Sequence, residues 1–369
     1  MSRREAFVAV VIAFLVGVLT AGSLREASNP DMNSAESSST GPRIRWRVTS
    51  AFGTHLPTLG DNPVEVADRL REASDGRIDW SIDDPGEVVP AFAIVDAVSR
   101  GKIEAGYTWL GYEEGRLPVS VLFGAVPFGM TPWEYTAWWV GGGGDALARE
   151  IYRPLGIEPI LCGMIGPETA GWFRDEVNVP EDVEGLKIRF AGLGGRVMQR
   201  LGASVTLLPG GELFQALEKG AIDATEYSLP GVDERLGFDR VAKYNYFPGW
   251  HQQTSCSELL MNKAKYDALP QTYKAVLQAA LGETVIHTYA ETEAKNPDAM
   301  QEMQKKHGVV VQRWRDDQLA TFEKAWNEVV VEESAKDAYF KEVAENFYAF
   351  RKNYAIWGDA QRMKSTYLK

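Results

Sequence analysis

The alternation of hydrophobic and polar positions predicts strands and helices in turn along the first half of the chain. The segment 43–50, RIRWRVTS, alternates as a strand does, and strands are predicted again over 77–83 and 102–109. Between them, the sequence NPVE starts a helix with Asn62 as the N-cap, and a second helix over 90–101 ends at a glycine. This β-α-β-α-β order predicts an α/β sheet.

The second half of the chain repeats this order and then becomes helical. Its elements are predicted as a strand over 185–192, a helix over 194–202, a strand over 203–209, a helix over 211–220 and a strand over 221–227. A further strand is predicted over 257–269, SELLMNKAKYDAL. Two long amphipathic helices follow, over about 270–306 and 315–350.

Two segments of the chain resemble each other, which suggests two related lobes. DAVSRGKIEA at 96–105 and QALEKGAIDA at 215–224 each read as a helix, a glycine stop and a strand. The same alignment pairs Tyr107 with Glu226. Because ligands of open α/β sheets bind at the carboxyl ends of strands, two facing lobes place these residues on opposite walls of one cleft.

The N-terminus has the pattern of a secretory signal peptide. Arg3 and Arg4 precede the apolar run 6–19, and small residues follow it, so cleavage is expected near Gly22. An uncleaved membrane anchor is the alternative, although the run is short for a spanning helix. Residues 23–43 are polar and rich in serine, and are predicted to be a flexible linker. The sequence therefore predicts an exported, periplasmic protein.

Composition and motifs narrow the classes of function. The net charge of −12 argues against a nucleic-acid surface. The chain has no G-x-S-x-G, H-E-x-x-H or P-loop motif, and GLGGRV at 192–197 lacks the third glycine of a dinucleotide fingerprint. The four histidines are scattered. Whether the only two cysteines, Cys162 and Cys256, form a disulfide stays open.

Three charged residues stand out against their surroundings. Arg189 lies inside the apolar strand LKIRFAG, where it forms either a local salt bridge or a bidentate clamp for a ligand carboxylate. Glu226 stands where a predicted buried strand ends, and Glu168 lies in a loop. Both offer oxygen donors suited to Na⁺ or Ca²⁺, whereas a solvated loop acid is the plain alternative for Glu168.

A series of motifs then resembles a known family. GWFRDEV, GLKIRFAGLGGRVMQRLG, LPGGELFQALEKGAIDATEYSLPGVDERLGF, KYNYFPGWH and FYAFRKNYAIW together resemble the TRAP transporter solute-binding proteins of the DctP type, and most of all the branch that binds 2-oxoacids or 2-hydroxyacids with a metal ion. The resemblance implies a two-lobe α/β fold with an interlobe cleft. It places lobe I at 44–165, lobe II at 166–255, and a return strand with C-terminal helices bracing both lobes at 256–369.

The resemblance also implies a set of ligand-binding residues. Arg189 matches the arginine that binds the ligand carboxylate, and the cation ligands correspond to Glu226, the backbone of Tyr227, Glu168 and Gln252. The branch usually has Trp at 227, Gln at 168 and Glu at 252, so an acid and an amide have exchanged places here. The expected aromatic wall residues, for which core packing is the alternative, are Phe52, Tyr107, Tyr112, Trp172, Phe190 and Trp250.

The expected function is capture of a small monocarboxylate, such as the 2-oxoacid pyruvate, together with Na⁺ or Ca²⁺ for uptake by membrane permease subunits. No covalent chemistry is expected, and the helical C-terminus suits a homodimer. An exported metal-dependent lyase acting on 2-oxoacids, with His251 as base, is one alternative. A ligand sensor that docks on a receptor is the other.

Overall fold

A computed structural model describes residues 41–362, and the described residues from Arg43 onward form one compact unit. The first sheet has the strand order β2-β1-β3-β10-β4. Its strands are β1 (Ile44–Ser50), β2 (Ile78–Asp83), β3 (Ala105–Thr108), β4 (Ile157–Ile165) and β10 (Ser255–Asn262). The first three strands are parallel, and β10 is antiparallel to both of its neighbours. The chain therefore returns to the first sheet at β10, after most strands of the second sheet.

The second sheet has the order β11-β9-β5-β8-β6-β7. Its strands are β5 (Gly171–Phe173), β6 (Lys187–Arg189), β7 (Ser204–Thr206), β8 (Ala224–Thr225), β9 (Tyr244–Phe247) and β11 (Val310–Arg313). The strands β6, β7 and β8 are parallel, as their helical crossovers require. Two sheets with helices confirm the predicted two-lobe α/β fold.

Helices pack on both sheets. Those before the second sheet are α1 (Asn62–Ala73), α2 (Ile94–Ser99), α3 (Val121–Gly124), α4 (Pro132–Gly141) and α5 (Gly144–Tyr152). Those that follow are α6 (Gly192–Arg200), α7 (Gly210–Glu218), α8 (Pro230–Leu236), α9 (Lys263–Asp267), α10 (Gln271–His307), α11 (Asp316–Lys336) and α12 (Ala338–Gln361). The long helix α10 packs against β4 of the first sheet and against α8 beside the second, so it touches both lobes.

Several local predictions need correction. The strand predicted over 257–269 ends at Asn262, whose side chain accepts from the Lys265 amide at 3.3 Å and caps α9. The helix predicted over 315–350 is two helices, because Asp337 ends α11 and caps α12 by accepting from the Phe340 amide at 2.8 Å. Asn62 is inside α1 and is not its N-cap, since its buried amide donates to Tyr107.

Other features bear on the predicted leader and the cysteines. The predicted signal peptide and most of the predicted linker lie outside the described residues. None of the helices within residues 41–362 combines the length and apolarity needed to cross a membrane. Cys162 and Cys256 are both buried and are not bonded to each other.

Candidate functional site

Two parallel neighbouring strands bring Arg189 and Glu226 to the same edge of the second sheet. Arg189 is the last residue of β6 and is paired in register with Thr225, the last residue of β8. Glu226 therefore follows its strand beside Arg189, at the carboxyl edge where ligands of α/β sheets bind. The loop before β5 adds Glu168, and the loop after β9 adds Gln252.

Arg189 and Glu226 form a buried ion pair, with each side chain only 1% exposed. The Arg189 guanidinium donates Nη1 to Glu226 Oε2 and, at 2.7 Å, to the Glu226 backbone carbonyl. Its Nε donates to the Leu208 carbonyl at 3.2 Å. The amide of Ala191 also donates to Glu226 Oε2, at 3.3 Å. The local salt bridge considered for Arg189 is therefore present, and its role as a clamp for a ligand carboxylate stays a prediction.

Glu168 and Gln252, the two residues whose types are exchanged relative to the branch, are direct neighbours. The amide of Glu168 donates to the Gln252 carbonyl at 3.1 Å. The loops approach so closely that a Cβ on Gly249 would lie 2.1 Å from the Glu168 carbonyl oxygen, which requires glycine there. The Gln252 side chain donates Nε2 to Glu226 Oε1 at 3.3 Å. The acid that the branch usually has at 252 stands at 168 in this chain, and it therefore still belongs to the same cluster.

The donor set of this cluster fits a hard cation. Glu168 Oε2 and Gln252 Oε1 are buried and have no hydrogen-bond partner among the described residues. The ligand atoms of Glu168, Glu226 and His251 lie within 4.8 Å of one another. Carboxylate and amide oxygens at this density are typical ligands of Na⁺ and Ca²⁺. Unsatisfied buried oxygens are costly without a partner, and a bound cation would supply one.

Burial sets the protonation of the three titratable groups around the cluster. Burial raises the pKa of Glu168 well above its usual range, and the negative charges of Glu226 and Asp233 raise it further. Burial also raises the pKa of Glu226, although the Arg189 charge opposes this. Burial, with help from Arg189, lowers the pKa of His251 to about 3, so its ring is neutral at pH 7. The positive charge of Arg189 is therefore too little to keep both acids of the cluster ionised.

These residues line a small cavity between the two lobes. The first lobe, including β10, contributes Phe52, Leu59, Trp109, Tyr112, Ser255 and Ser257 to its wall. The second lobe and the loop after β9 contribute Glu168, Arg189, Ala191, Glu226, Tyr227 and Gln252. Burial raises the pKa of the Tyr112 phenol to about 12, so this hydroxyl is a neutral hydrogen-bonding group in the wall.

Four of the expected aromatic wall residues lie behind the cavity and do not line it. Tyr107 packs edge-on against Phe52 at 5.9 Å between ring centroids, and Phe190 packs edge-on against His251 at 4.9 Å. The Trp172 indole donates to Asp233 at 2.8 Å. These side chains are buried and support residues of the cavity wall or of its loops.

Trp250, the fourth of these aromatics, stacks between Phe128 and Phe322, with centroid distances of 5.7 and 4.9 Å. It anchors the loop after β9 to the C-terminal helix α11. Its neighbour in sequence, His251, consequently turns toward the acid cluster.

Sequence reasoning missed the position of His251, which it considered only as a general base. His251 Nε2 lies 3.5 Å from Glu168 Oε2 and 3.9 Å from Glu226 Oε1. Its position directly before Gln252 was the available signal. Trp109, Leu59 and Ser257 in the cavity wall carried no signal, because each reads as part of an ordinary apolar or polar run.

Two facing lobes around a buried arginine and an acid cluster define a solute-binding protein. The chain belongs to the family described as bacterial extracellular solute-binding protein, family 7, whose model matches residues 54–337. Members of this family are extracytoplasmic receptors that bind small organic acids and work with TRAP membrane permease subunits, and they are not enzymes. The family assignment confirms the resemblance and rules out the lyase alternative.

Named relatives support the same branch. The chain is 34% identical over 316 residues to a monocarboxylate 2-oxoacid-binding periplasmic protein of Nostoc sp., and the match covers 86% of each chain. It is 31% identical, with a TM-score of 0.85, to a TRAP solute-binding protein of Bordetella bronchiseptica. That match covers 87% of this chain and 95% of the other, which is a mixed-occupancy dimer with copurified calcium and picolinate in one site and an apo site.

A second solved structure is a TRAP periplasmic solute-binding protein of Pseudoalteromonas atlantica with bound sodium and pyruvate. It is 31% identical to this chain with a TM-score of 0.83, and the match covers 86% of this chain and 97% of the other.

Proposed function

We propose that this protein captures a small monocarboxylate, a 2-oxoacid such as pyruvate, together with Na⁺ or Ca²⁺, and presents it to TRAP permease subunits. The observation that carries the proposal is a guanidinium and two carboxyl groups buried at the wall of one interlobe cavity. Arg189 would bind the ligand carboxylate, and Glu168, Glu226, Gln252 and the backbone oxygen of Tyr227 would hold the cation.

The charges of the site suit this pair of ligands. Among the described residues, Arg189 is the only positively charged side chain that lines the cavity, and it is already paired with Glu226. A bound cation supplies the positive charge that two acids and a ligand carboxylate together require. Arg189 is then free to orient the ligand carboxylate by two parallel hydrogen bonds, which a planar guanidinium forms readily.

Closure of the lobes would couple binding to transport. The cavity wall takes residues from both lobes, so only the closed arrangement makes all the contacts. A ligand that touches both walls shifts the open–closed equilibrium toward the closed form by its difference in affinity for the two forms. Phe52, Tyr112 and Trp109 would exclude water from the ligand in that form.

We also propose that the protein works in the periplasm, exported by the N-terminal signal. The family is extracytoplasmic, which supports this location. The arginine pair and apolar run that predict the signal lie outside the described residues. N-terminal sequencing of the protein recovered from a periplasmic fraction would show cleavage near Gly22 if the proposal holds, and an intact Met1 in the membrane fraction if it fails.

A homodimer is a further part of the proposal. Ile356 and Trp357 near the end of α12 are 73% and 61% exposed, which is unusual for two adjacent large apolar side chains. The Bordetella bronchiseptica relative is a dimer. Sedimentation equilibrium should give twice the monomer mass, and Trp357→Glu should shift the protein to monomer. A wild-type protein that stays monomeric at high concentration contradicts this part of the proposal.

A thermal-shift panel tests the proposed ligands. Pyruvate at about 100-fold over its Kd should stabilise the protein by about 2.7 kcal/mol, in the presence of Na⁺ or Ca²⁺ but not of a chelator in choline buffer. Succinate, which lacks a 2-oxo group, serves as the negative ligand. Stabilisation by pyruvate that is identical with and without cations would contradict the cation site, and no stabilisation under any cation would contradict the ligand class.

Exchange variants test the cation ligands with a matched control. Glu168→Gln leaves a single carboxylate at the cluster. The apparent affinity for the cation, obtained from the cation-dependent thermal stabilisation, should therefore fall at least tenfold. The double variant Glu168→Gln with Gln252→Glu moves the acid back across the contact between these two residues and should recover cation dependence. If the double variant is no better than the single one, the two positions do not share a cation.

A further inference from the structure

Tyr227 is shared by two cavities of very different size. It lines the small inner cavity together with Arg189 and Glu226. It also lines a much larger outer cavity, whose wall takes residues from both lobes. Among the residues that the structure describes, Tyr227 is the one that lines both spaces.

The Tyr227 ring is held in place from two sides. The Arg189 guanidinium lies 5.2 Å from the ring centroid, a cation–π contact. At the other end, a Cβ on Gly210 would lie 2.3 Å from the Tyr227 hydroxyl, so the ring tip abuts the first residue of α7. Phe238 packs edge-on against the ring at 6.2 Å. A ring fixed by a charge, a helix terminus and a second aromatic is a rigid partition.

The outer cavity differs in chemistry as well as size. Its wall is largely apolar, with Leu56, Pro90 and Ala91 on the first lobe and Pro209 and Leu236 on the second. Its wall also contains two acidic residues, Asp84 and Glu212, and one histidine, His55. The apolar surface suits an apolar substituent, and the two acids disfavour a second carboxylate.

We infer that the Tyr227 side chain limits the size of ligand that the site accepts, by closing the inner cavity to 2-oxoacids with long or branched substituents. The inference rests on the proposed function, since it assumes that Arg189 fixes the ligand carboxylate. Because Tyr227 also belongs to the proposed cation site, the readout is the ratio of affinities between two ligands of one variant and not the affinity for either ligand alone. Replacing the Tyr227 ring by a smaller side chain should join the two cavities and admit branched and aryl 2-oxoacids.

The test compares Kd ratios by calorimetry, in the presence of Ca²⁺, for the wild type and for Tyr227→Ala, Tyr227→Leu and Tyr227→Phe. The wild type should bind pyruvate at least tenfold more tightly than 4-methyl-2-oxopentanoate or phenylpyruvate, since even one excess methylene in a tight pocket costs roughly tenfold or more. Tyr227→Ala and Tyr227→Leu should cut this ratio at least tenfold, whereas Tyr227→Phe should keep it. A loss of the contact with Arg189 affects all carboxylates alike and cancels in the ratio.

The outcomes separate this inference from the proposed function. 2-Oxoglutarate should gain nothing in Tyr227→Ala, because its second carboxylate would face Asp84 and Glu212. Pyruvate binding with an unchanged ratio in both Tyr227→Ala and Tyr227→Leu overturns the inference and leaves the proposed function intact. A wild type that binds phenylpyruvate as tightly as pyruvate also overturns it. A wild type that binds no 2-oxoacid overturns the proposed function, and this inference with it.

Discussion

Removal of Arg189 should separate its structural contribution from its ligand-binding contribution. Arg189→Met deletes the guanidinium but keeps an unbranched apolar side chain in the strand. The change leaves Glu226 buried with one amide donor from Ala191 and one from Gln252, and without its countercharge. Breaking a buried ion pair by removing one partner typically costs about 3–5 kcal/mol, so the ligand-free protein should lose about that much stability.

The matched control is the double variant Arg189→Met with Glu226→Gln. Replacing both charges of a buried pair by neutral groups of similar volume is often close to neutral, so the double variant should recover most of the lost stability. Urea denaturation of the ligand-free protein gives the free energies of unfolding for the wild type, each single variant and the double variant. In contrast to stability, pyruvate binding should remain absent in the double variant, because the carboxylate clamp is still missing.

Two results would refute this reasoning. A loss of less than about 1 kcal/mol in Arg189→Met would mean that the ion pair contributes little to the ligand-free fold, against the 1% exposure of both side chains. Pyruvate binding in the recovered double variant at wild-type affinity would mean that Arg189 is structural and that another group binds the carboxylate.

Two further predictions concern the lobes away from Arg189. Glu258 is fully buried in β10, and burial raises its pKa well above the usual range, so the folded state keeps it protonated and the fold loses stability as the pH rises above the pKa of an unfolded glutamate. In urea denaturation, the free energy of unfolding of Glu258→Gln should therefore exceed that of the wild type by more at pH 8 than at pH 5. An equal difference at the two pH values would contradict this prediction. Arg196 of α6 forms a half-exposed ion pair with Glu114 of the first lobe, so this pair joins the two lobes. Arg196→Met should therefore weaken pyruvate binding by about two- to fivefold in low salt. The loss should be smaller in 0.5 M choline chloride, because salt screens exposed charges. Lys263→Met, which breaks an ion pair within α9, should not change the affinity, and an equal loss in both variants would show that the interlobe pair has no special role.

The sequence predicts most of the fold and part of the site, for identifiable reasons. Strands such as β1 and β6 alternate or are flanked by glycines, so their patterns are local. Arg189 stands out because a charge inside an apolar strand needs a partner, and the structure supplies Glu226 from the adjacent strand. Glu226 stands out because it directly follows a short buried strand, at the carboxyl edge where ligands of α/β sheets bind.

The remaining features depend on tertiary contacts that no local pattern encodes. β11 is a four-residue edge strand, and it is defined as a strand by its pairing with β9 and not by a local sequence pattern. The division between α11 and α12 depends on the side chain of Asp337, which could equally have stayed helical. The direction of His251 follows from Trp250, which is buried between Phe128 and Phe322, three aromatics far apart in sequence.

The placement of the aromatic residues shows the same limit. Phe52, Tyr112 and Tyr227 line the cavity, while Trp172 and Tyr107 lie one layer behind it. From the sequence alone, Phe52, Tyr112, Trp172 and Tyr107 are expected as wall residues on equal terms. Only the twist and the register of the strands decide which of them faces the cavity.

The most direct test of the account is a calorimetric titration of pyruvate into the purified wild-type protein, in choline buffer with Ca²⁺ and in the same buffer with a chelator. The account predicts one saturable site per chain with Ca²⁺ and a loss of at least tenfold in affinity with the chelator. Undetectable heat and undetectable thermal stabilisation with Ca²⁺ would contradict the assignment of Arg189, Glu168 and Glu226 to a 2-oxoacid and cation site.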